Sequence, residues 1–235
     1  MIILGLDTSG PACSCALVKD GALIQEALMN TALTHSETLM PAIERVMDGA
    51  GVEMKDVDAI AVIAGPGSFT GVRIGVCAGR ALAHAFDTPV CRINALEALA
   101  AGAPNSRGIV CPILDARRMQ VYSAAFKMAD CGMPERVLPD DARKLTDFLE
   151  LLPKDETLMF TGDGVPVHEK TIREILGERA QFAPVHTRIL RASSACFLAE
   201  RKKDEWTGWD QLTPIYLRAP QAERERNERL TRARV

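Results

Sequence analysis

Residues 59–86 constrain this chain more than any other stretch. Ala59-Ile60-Ala61-Val62-Ile63-Ala64 is a short apolar run that leads into Gly65-Pro66-Gly67-Ser68-Phe69-Thr70-Gly71, and a helical apolar pattern continues from there to Phe86. Strand, glycine-rich turn and helix in that order bring backbone N–H groups and the positive end of a helix dipole to one point, the usual setting for an anion. The same helix carries Gly71, Gly75 and Gly79, so three absent side chains share one face. Each glycine costs about 1 kcal/mol against alanine in a helix interior, so the three need roughly 3 kcal/mol of compensation. Close helix packing supplies it, either inside the core or across a subunit boundary. The sequence leaves both open.

The chain has 235 residues, 47% of them hydrophobic and 25% charged, enough for one large domain or two small lobes. A net charge of −3 argues against a generally nucleic-acid-binding body. Basic residues do gather at the end, where Arg224, Arg226, Arg229, Arg232 and Arg234 alternate with Glu223, Glu225 and Glu228. That pattern reads as a solvated mixed-charge tail, with contact to RNA or a partner as the alternative. Seven cysteines without a CxxC pair, several inside apolar runs, fit reduced core thiols and a cytoplasmic protein. The N-terminus has no basic leader and reads as a strand from its second residue, and no uncharged apolar run reaches membrane-spanning length.

Along the chain, Ile2–Asp7 is an apolar strand closed by a turn cluster at Asp7-Thr8-Ser9-Gly10-Pro11. Strands at Cys13–Lys19 and Ala22–Leu28 meet at Asp20-Gly21, a strong hairpin signal. Thr34-His35-Ser36-Glu37 has capping-box spacing ahead of an apolar face of Leu39, Met40, Ile43, Val46 and Met47, although Pro41 obscures the helix start. After the glycine loop and helix come a strand at Val90–Ile93, a helix at Ala95–Ala101 and a linker at 102–106. The opening pattern then recurs: Ile109–Leu114, an aspartate turn at Asp115, and a strand at Gln120–Phe126. This suggests an internal duplication. The remainder predicts a helix at Asp140–Leu152, a strand at Thr157–Thr161, the turn Gly162-Asp163-Gly164, and helices at Val167–Leu176 and Ser193–Lys203.

Chemistry is sparse. Asp7 ends the first strand, where open α/β sheets place ligands, so it either holds a metal–phosphate ligand through water or shapes the turn. The glycine loop lacks the Walker A lysine, since Val72 and Arg73 follow Gly71, and it lacks the glycine pair of a nucleophile elbow. Amides of Ser68 to Thr70 could hold an anion, or Ser68 or Thr70 simply caps the helix. The four histidines are scattered without metal-ligand spacing, and no Ser-His-Asp or Cys-His order stands out. Catalytic residues: none are assigned.

Taken together, Leu6-Asp7-Thr8-Ser9, Thr34-His35-Ser36-Glu37, the whole Gly65–Gly75 segment, Asp115-Ala116-Arg117, Gly162-Asp163-Gly164 and Tyr216-Leu217-Arg218 resemble the TsaB (YeaZ) family from end to end. That resemblance implies an α/β, two-lobed actin-like ATPase fold with duplicated β-β-β-α-β-α lobes. Its lobes would span 1–104 and 105–220, followed by a charged tail at 221–235. It also implies a non-catalytic subunit of the machinery that makes N6-threonylcarbamoyladenosine (t6A) in tRNA. Such a subunit pairs with TsaD, supports binding of TsaE, forms a homodimer when alone and reaches tRNA through the complex. The related TsaD carries a histidine-x3-histidine metal pair where this chain has Ala95 and Leu99, neither of which can ligate a metal. The pairing surface implied by the family comprises His35, Leu39, Met40, Ile43 and Met47 on one helix. Gly71, Ile74, Gly75, Ala78, Gly79 and Leu82 complete it on the next. Asp7, Ser68, Gly162 and Gly164 remain weak cofactor-binding candidates, with ATP or ADP expected, if anywhere, at the interface of the assembled complex. The alternative is an ATPase, kinase or glycoprotease in its own right.

Overall fold

A computed structural model describes residues 1–103, 108–117 and 119–218. Linker residues 104–107 and the arginine-rich tail lie outside the described residues. The first half runs β1 (Ile2–Asp7), β2 (Cys13–Lys19), β3 (Ala22–Met29), α1 (His35–Ala50), β4 (Ala59–Ile63), α2 (Phe69–Phe86), β5 (Val90–Ile93) and α3 (Ala95–Ala101). The second runs β6 (Ile109–Asp115), β7 (Gln120–Met128), β8 (Pro134–Lys144), α4 (Leu145–Leu151), β9 (Leu158–Thr161), α5 (Val165–Leu176), β10 (Ala180–Phe182) and α6 (Ala192–Arg201).

Each half builds one five-stranded sheet. The orders are β3-β2-β1-β4-β5 and β10-β9-β6-β7-β8, which are the same order once the second half is renumbered from its own first strand. In both, an antiparallel three-strand meander is followed by parallel pairing, β4 on β1 and β9 on β6. The duplication suggested by two aspartate turns is therefore a duplication of topology, and the fold is two-lobed and actin-like.

Alternation along β1 explains the layering. Leu4 and Leu6 face a core shared with Leu39, Ile43 and Val46 of α1 and Val72 and Val76 of α2. Ile3 faces a central core with α3 and α6, and that core continues to Val110, Leu114 and Phe126 of the second sheet. α4 and α5 cover the far face of the second sheet through Phe148, Val165 and Ile172. Buried on both faces, β1 and β4 need near-continuous apolar sequence, which they have.

The two middle helices are exchanged between lobes. α3, the last element of the first half, packs on β6, β7 and β8, whereas α6 packs on β1, β2 and β4. α6 is fixed there by Ser14 Oγ, which accepts from Ala192 N at 3.0 Å, and by Glu26 Oε1, which accepts from Ser193 N at 3.1 Å. Gly5 admits this approach, because a Cβ there would lie 2.6 Å from Cys196 Sγ. A boundary that assigns all of 105–220 to the second lobe is thus corrected: from Ala192 to Ile215 the chain packs against the first.

Two further expectations change. The helix predicted over Asp140–Leu152 loses its first turn to strand, because β8 pairs with β7 from Met128↔Pro134 to Gln120↔Lys144, leaving Leu145–Leu151 helical. Tertiary pairing overrides the local acidic helix-start signal here. Conversely, α1 begins at His35 and runs through Pro41, held at its start by Glu37, whose carboxylate accepts from Thr34 N at 2.9 Å and Thr34 Oγ1 at 2.6 Å.

Candidate functional site: the interlobe cleft and the outer face of α1 and α2

The carboxyl ends of β1, β4, β6 and β9 converge on a cleft of about 650 Å³. On the first-lobe side, Asp7 is buried and its Oδ1 accepts from Ser9 N at 2.8 Å and Ser9 Oγ at 2.7 Å, while Oδ2 has no partner among the described residues. Burial pushes its carboxyl up from 3.8 to about 6, against the opposing pull of the Ser9 bonds and the His35 charge. Asp7 is therefore a turn-shaping residue whose second oxygen stays uncompensated.

The β1–β2 turn is clamped to both helix starts. Thr8 Oγ1 donates to Gly71 O at 2.7 Å, and Gly10 O lies 2.9 Å from His35 Nε2. Ser9 O accepts from Ser68 N at 2.7 Å. Ser68 caps α2, its Oγ accepting from Gly71 N at 3.2 Å. Three amides here are engaged, Ser68 N by Ser9 O, Gly71 N by Ser68 Oγ and Val72 N by Ser68 O. Gly67 is also pressed onto Ser9, leaving no room even for a Cβ.

On the second-lobe side, Gly162 has φ +106° and packs directly against the Ile113 carbonyl, so only glycine fits. Gly164 N donates to Ile113 O at 3.1 Å, and Asp115 N donates to Asp163 Oδ1 at 3.0 Å. Gly162 and Gly164 thus shape the turn that presents Asp163. Burial raises the Asp163 carboxyl to about 6, with the negative charges of Asp115 and Asp7 acting in the same direction. Two carboxyls with raised proton affinity therefore lie near one cleft. Among the described residues no group of three or more His, Cys, Asp or Glu could hold a metal ion.

The glycine stripe of α2 resolves the opening question against a subunit boundary. A Cβ on Gly71 would overlap the Thr8 carbonyl, one on Gly75 would sit 2.6 Å from Thr8 Oγ1, and one on Gly79 2.6 Å from Val62 Cγ2. The stripe receives this protein's own β1 turn and β4. Leu39, Ile43 and Met47 are likewise only 1%, 3% and 6% exposed and belong to the first-lobe core. As a pairing surface, these six positions are corrected to core, since α1 and α2 must cover the sheet before presenting anything outward. His35 lines the cleft. What remains outward is Met40, 45% exposed, with Ile74, Ala78 and Leu82 half-buried at the edge of the core.

Comparison with known proteins agrees with this architecture. A family model described as "TsaD: tRNA N6-adenosine threonylcarbamoyltransferase" matches residues 29–225. The Bacillus subtilis tRNA threonylcarbamoyladenosine biosynthesis protein TsaB is 35% identical over 224 residues, covering 95% of this chain and 96% of that relative. The chain belongs to the TsaB family. Escherichia coli TsaB is 33% identical over 57% of this chain and 58% of its own length. The solved structure of YeaZ from Pseudomonas aeruginosa superposes with a TM-score of 0.76 at 28% identity, covering 92% of this chain and 99% of that one.

Within this TsaB-family chain, Ala95 and Leu99 are structural. Both are buried on α3, Ala95 N donates to Gly65 O at 2.8 Å, and Leu99 packs behind Gly162. All seven cysteines are free thiols, five of them buried. Among the described residues no helix is long and apolar enough to cross a membrane. The aspartate-turn repeat, Asp7 and Asp115, was the sequence signal for the cleft, but it did not single out Asp163. Nothing local indicated that Tyr216 and Arg218 would form its wall.

Proposed function

We propose that this chain is a non-catalytic partner subunit in the biosynthesis of threonylcarbamoyladenosine in tRNA, pairing with a TsaD-type subunit and supporting a TsaE-type ATPase. The observation that carries the reading is similarity to TsaB over 95% of this chain and 96% of that relative. The pairing surface is the outward remainder of α1 and α2: Met40, Ile74, Ala78 and Leu82, with a polar rim. Homodimerisation through the same surface is the expected state in the absence of the partner. Nucleotide and tRNA belong to the assembled complex in this reading.

The test is reconstitution. Purified TsaD-type and TsaE-type subunits, tRNA, ATP and the threonylcarbamoyl donor should yield modified tRNA only when this chain is added, with co-elution of this chain and the TsaD-type subunit. Modification at full rate without it, or ATP hydrolysis by this chain alone that Asp7→Asn abolishes, would overturn the reading.

A further inference from the structure

The segment that follows the last 3-10 turn crosses the cleft mouth from one lobe to the other. Leu212 is fully buried in the first-lobe core, and Ile215 N donates to Ala64 O at 2.7 Å. Arg92 donates to Thr213 Oγ1 at 3.2 Å. These contacts root the segment beside β4 and β5. Beyond them its grip is made by side chains only. The Tyr216 ring stacks on Phe69 at 5.0 Å and its hydroxyl accepts from Arg73 Nε at 2.9 Å. Arg218 then reaches the second lobe, where its guanidinium donates to Ala116 O at 2.9 Å and to Gln120 Oε1 and sits over the Tyr122 ring.

The geometry points to a cleft lid built from residues 212–218, with Leu212–Ile215 as its fixed root and Arg218 as its hook. Three features separate a lid from ordinary surface packing. Its tip walls the cleft, since Ile215, Tyr216, Leu217 and Arg218 all line it. Its tip is half-exposed, Tyr216 being 42% accessible, so release opens no cavity in a core. No strand pairing holds residues 213–218, so a few side-chain bonds decide between closed and open. Arg73 also stands on the outer side of α2, so a group that engages Arg73 from outside competes with Tyr216 and loosens the lid. Occupancy of the α2 face would thereby reach the cleft; this last step alone rests on the proposed pairing surface.

Hydrogen exchange followed by mass spectrometry on the full chain tests the lid without any partner. Arg218→Gln removes the bidentate hook and should speed exchange about tenfold for amides at 114–122 and 215–218, the scale of one net charge-assisted bond. Amides in β1 and β4 should not change. Arg73→Gln should act at 215–218 in the same direction, and Lys170→Gln, whose partner Glu174 is on the exposed side of α5, should not. Unchanged exchange at the cleft wall in Arg218→Gln would overturn the lid. So would a uniform rise across both sheets, which would make Arg218 a contributor to global stability only. A further arm adds a TsaD-type subunit to the unmodified chain. Faster exchange at 215–218 on complex formation supports the coupling step, and protection there overturns that step while leaving the lid intact.

Discussion

Alanine at each position of the α2 stripe separates an inward from an outward stripe by the sign of the effect. If the stripe faced a partner, Gly→Ala in the free chain would gain helix propensity and raise stability by about 1 kcal/mol per site. The structure predicts the reverse, graded by what each new methyl meets. At Gly79 it meets Val62 Cγ2 at 2.6 Å, a side-chain atom that can shift, so an overpacking cost of about 1–3 kcal/mol outweighs the propensity gain by up to about 2 kcal/mol. At Gly75 it meets Thr8 Oγ1 at 2.6 Å and also breaks the buried Thr8–Gly71 bond, adding about 1–3 kcal/mol for the carbonyl left unpaired. At Gly71 it meets backbone, which cannot move aside, and the cost should be the largest. Urea unfolding at neutral pH with constant m reads these values. Val62→Ala in the Gly79→Ala background should recover part of the loss, a coupling of roughly 0.5–3 kcal/mol. A gain of about 1 kcal/mol at Gly75 and Gly79 with no coupling to Val62 would refute the packing described here.

Three other perturbations give independent checks. Asp7 binds its proton more tightly in the folded than in the unfolded chain, so its unfavourable contribution is absent below its ordinary value of 3.8, grows as pH rises, and is complete above about 6. Its full size is about 3 kcal/mol, and Asp7→Asn, which keeps an acceptor for Ser9, should flatten the fall in urea midpoint between these pH values. Met40→Asp should leave stability within about 0.5 kcal/mol, because the side chain is exposed, yet weaken association with a TsaD-type subunit in calorimetry. Gly162→Ala faces both a φ of +106° and the Ile113 carbonyl. It should lower the thermal midpoint sharply, reported by circular dichroism, whereas Gly51→Ala, with an αL backbone but open space, should cost about 1 kcal/mol.

Much of the fold was legible because the elements that build it carry local signals. Asp20-Gly21 marked the first hairpin, and Thr34 and Glu37 marked the capping box of α1 although Pro41 obscured where the helix begins. β8 was not legible, since its polar, half-exposed residues lack a clean alternation and only pairing with β7 makes it a strand. The candidate site was legible in outline through its aspartate turns, but its electrostatics were not. Asp7 and Asp163 are made unusual by burial, a property of the closed fold rather than of the aspartate-containing motif. The glycine stripe was read correctly as a close approach and wrongly as a surface. Spacing on a helix gives the face that must be approached and carries no label for what approaches it.

The exchanged helices explain why the two sheets cannot be treated as separable units. α3 leaves the first lobe to cover the second sheet, and α6 returns to cover the first, so each sheet lacks one apolar cover without the other half of the chain. The interlobe geometry is therefore anchored on the α3–α6 side by a buried core, including the Lys202–Glu97 ion pair at 2.8 Å. On the cleft side it is secured by the Arg218 hook and the Tyr216 stack. The proposed lid therefore sits on the side held by few contacts, where local opening leaves the buried core intact. This asymmetry places the Arg73–Tyr216 bond on α2 only two residues along the chain from the Arg218 hook at the cleft.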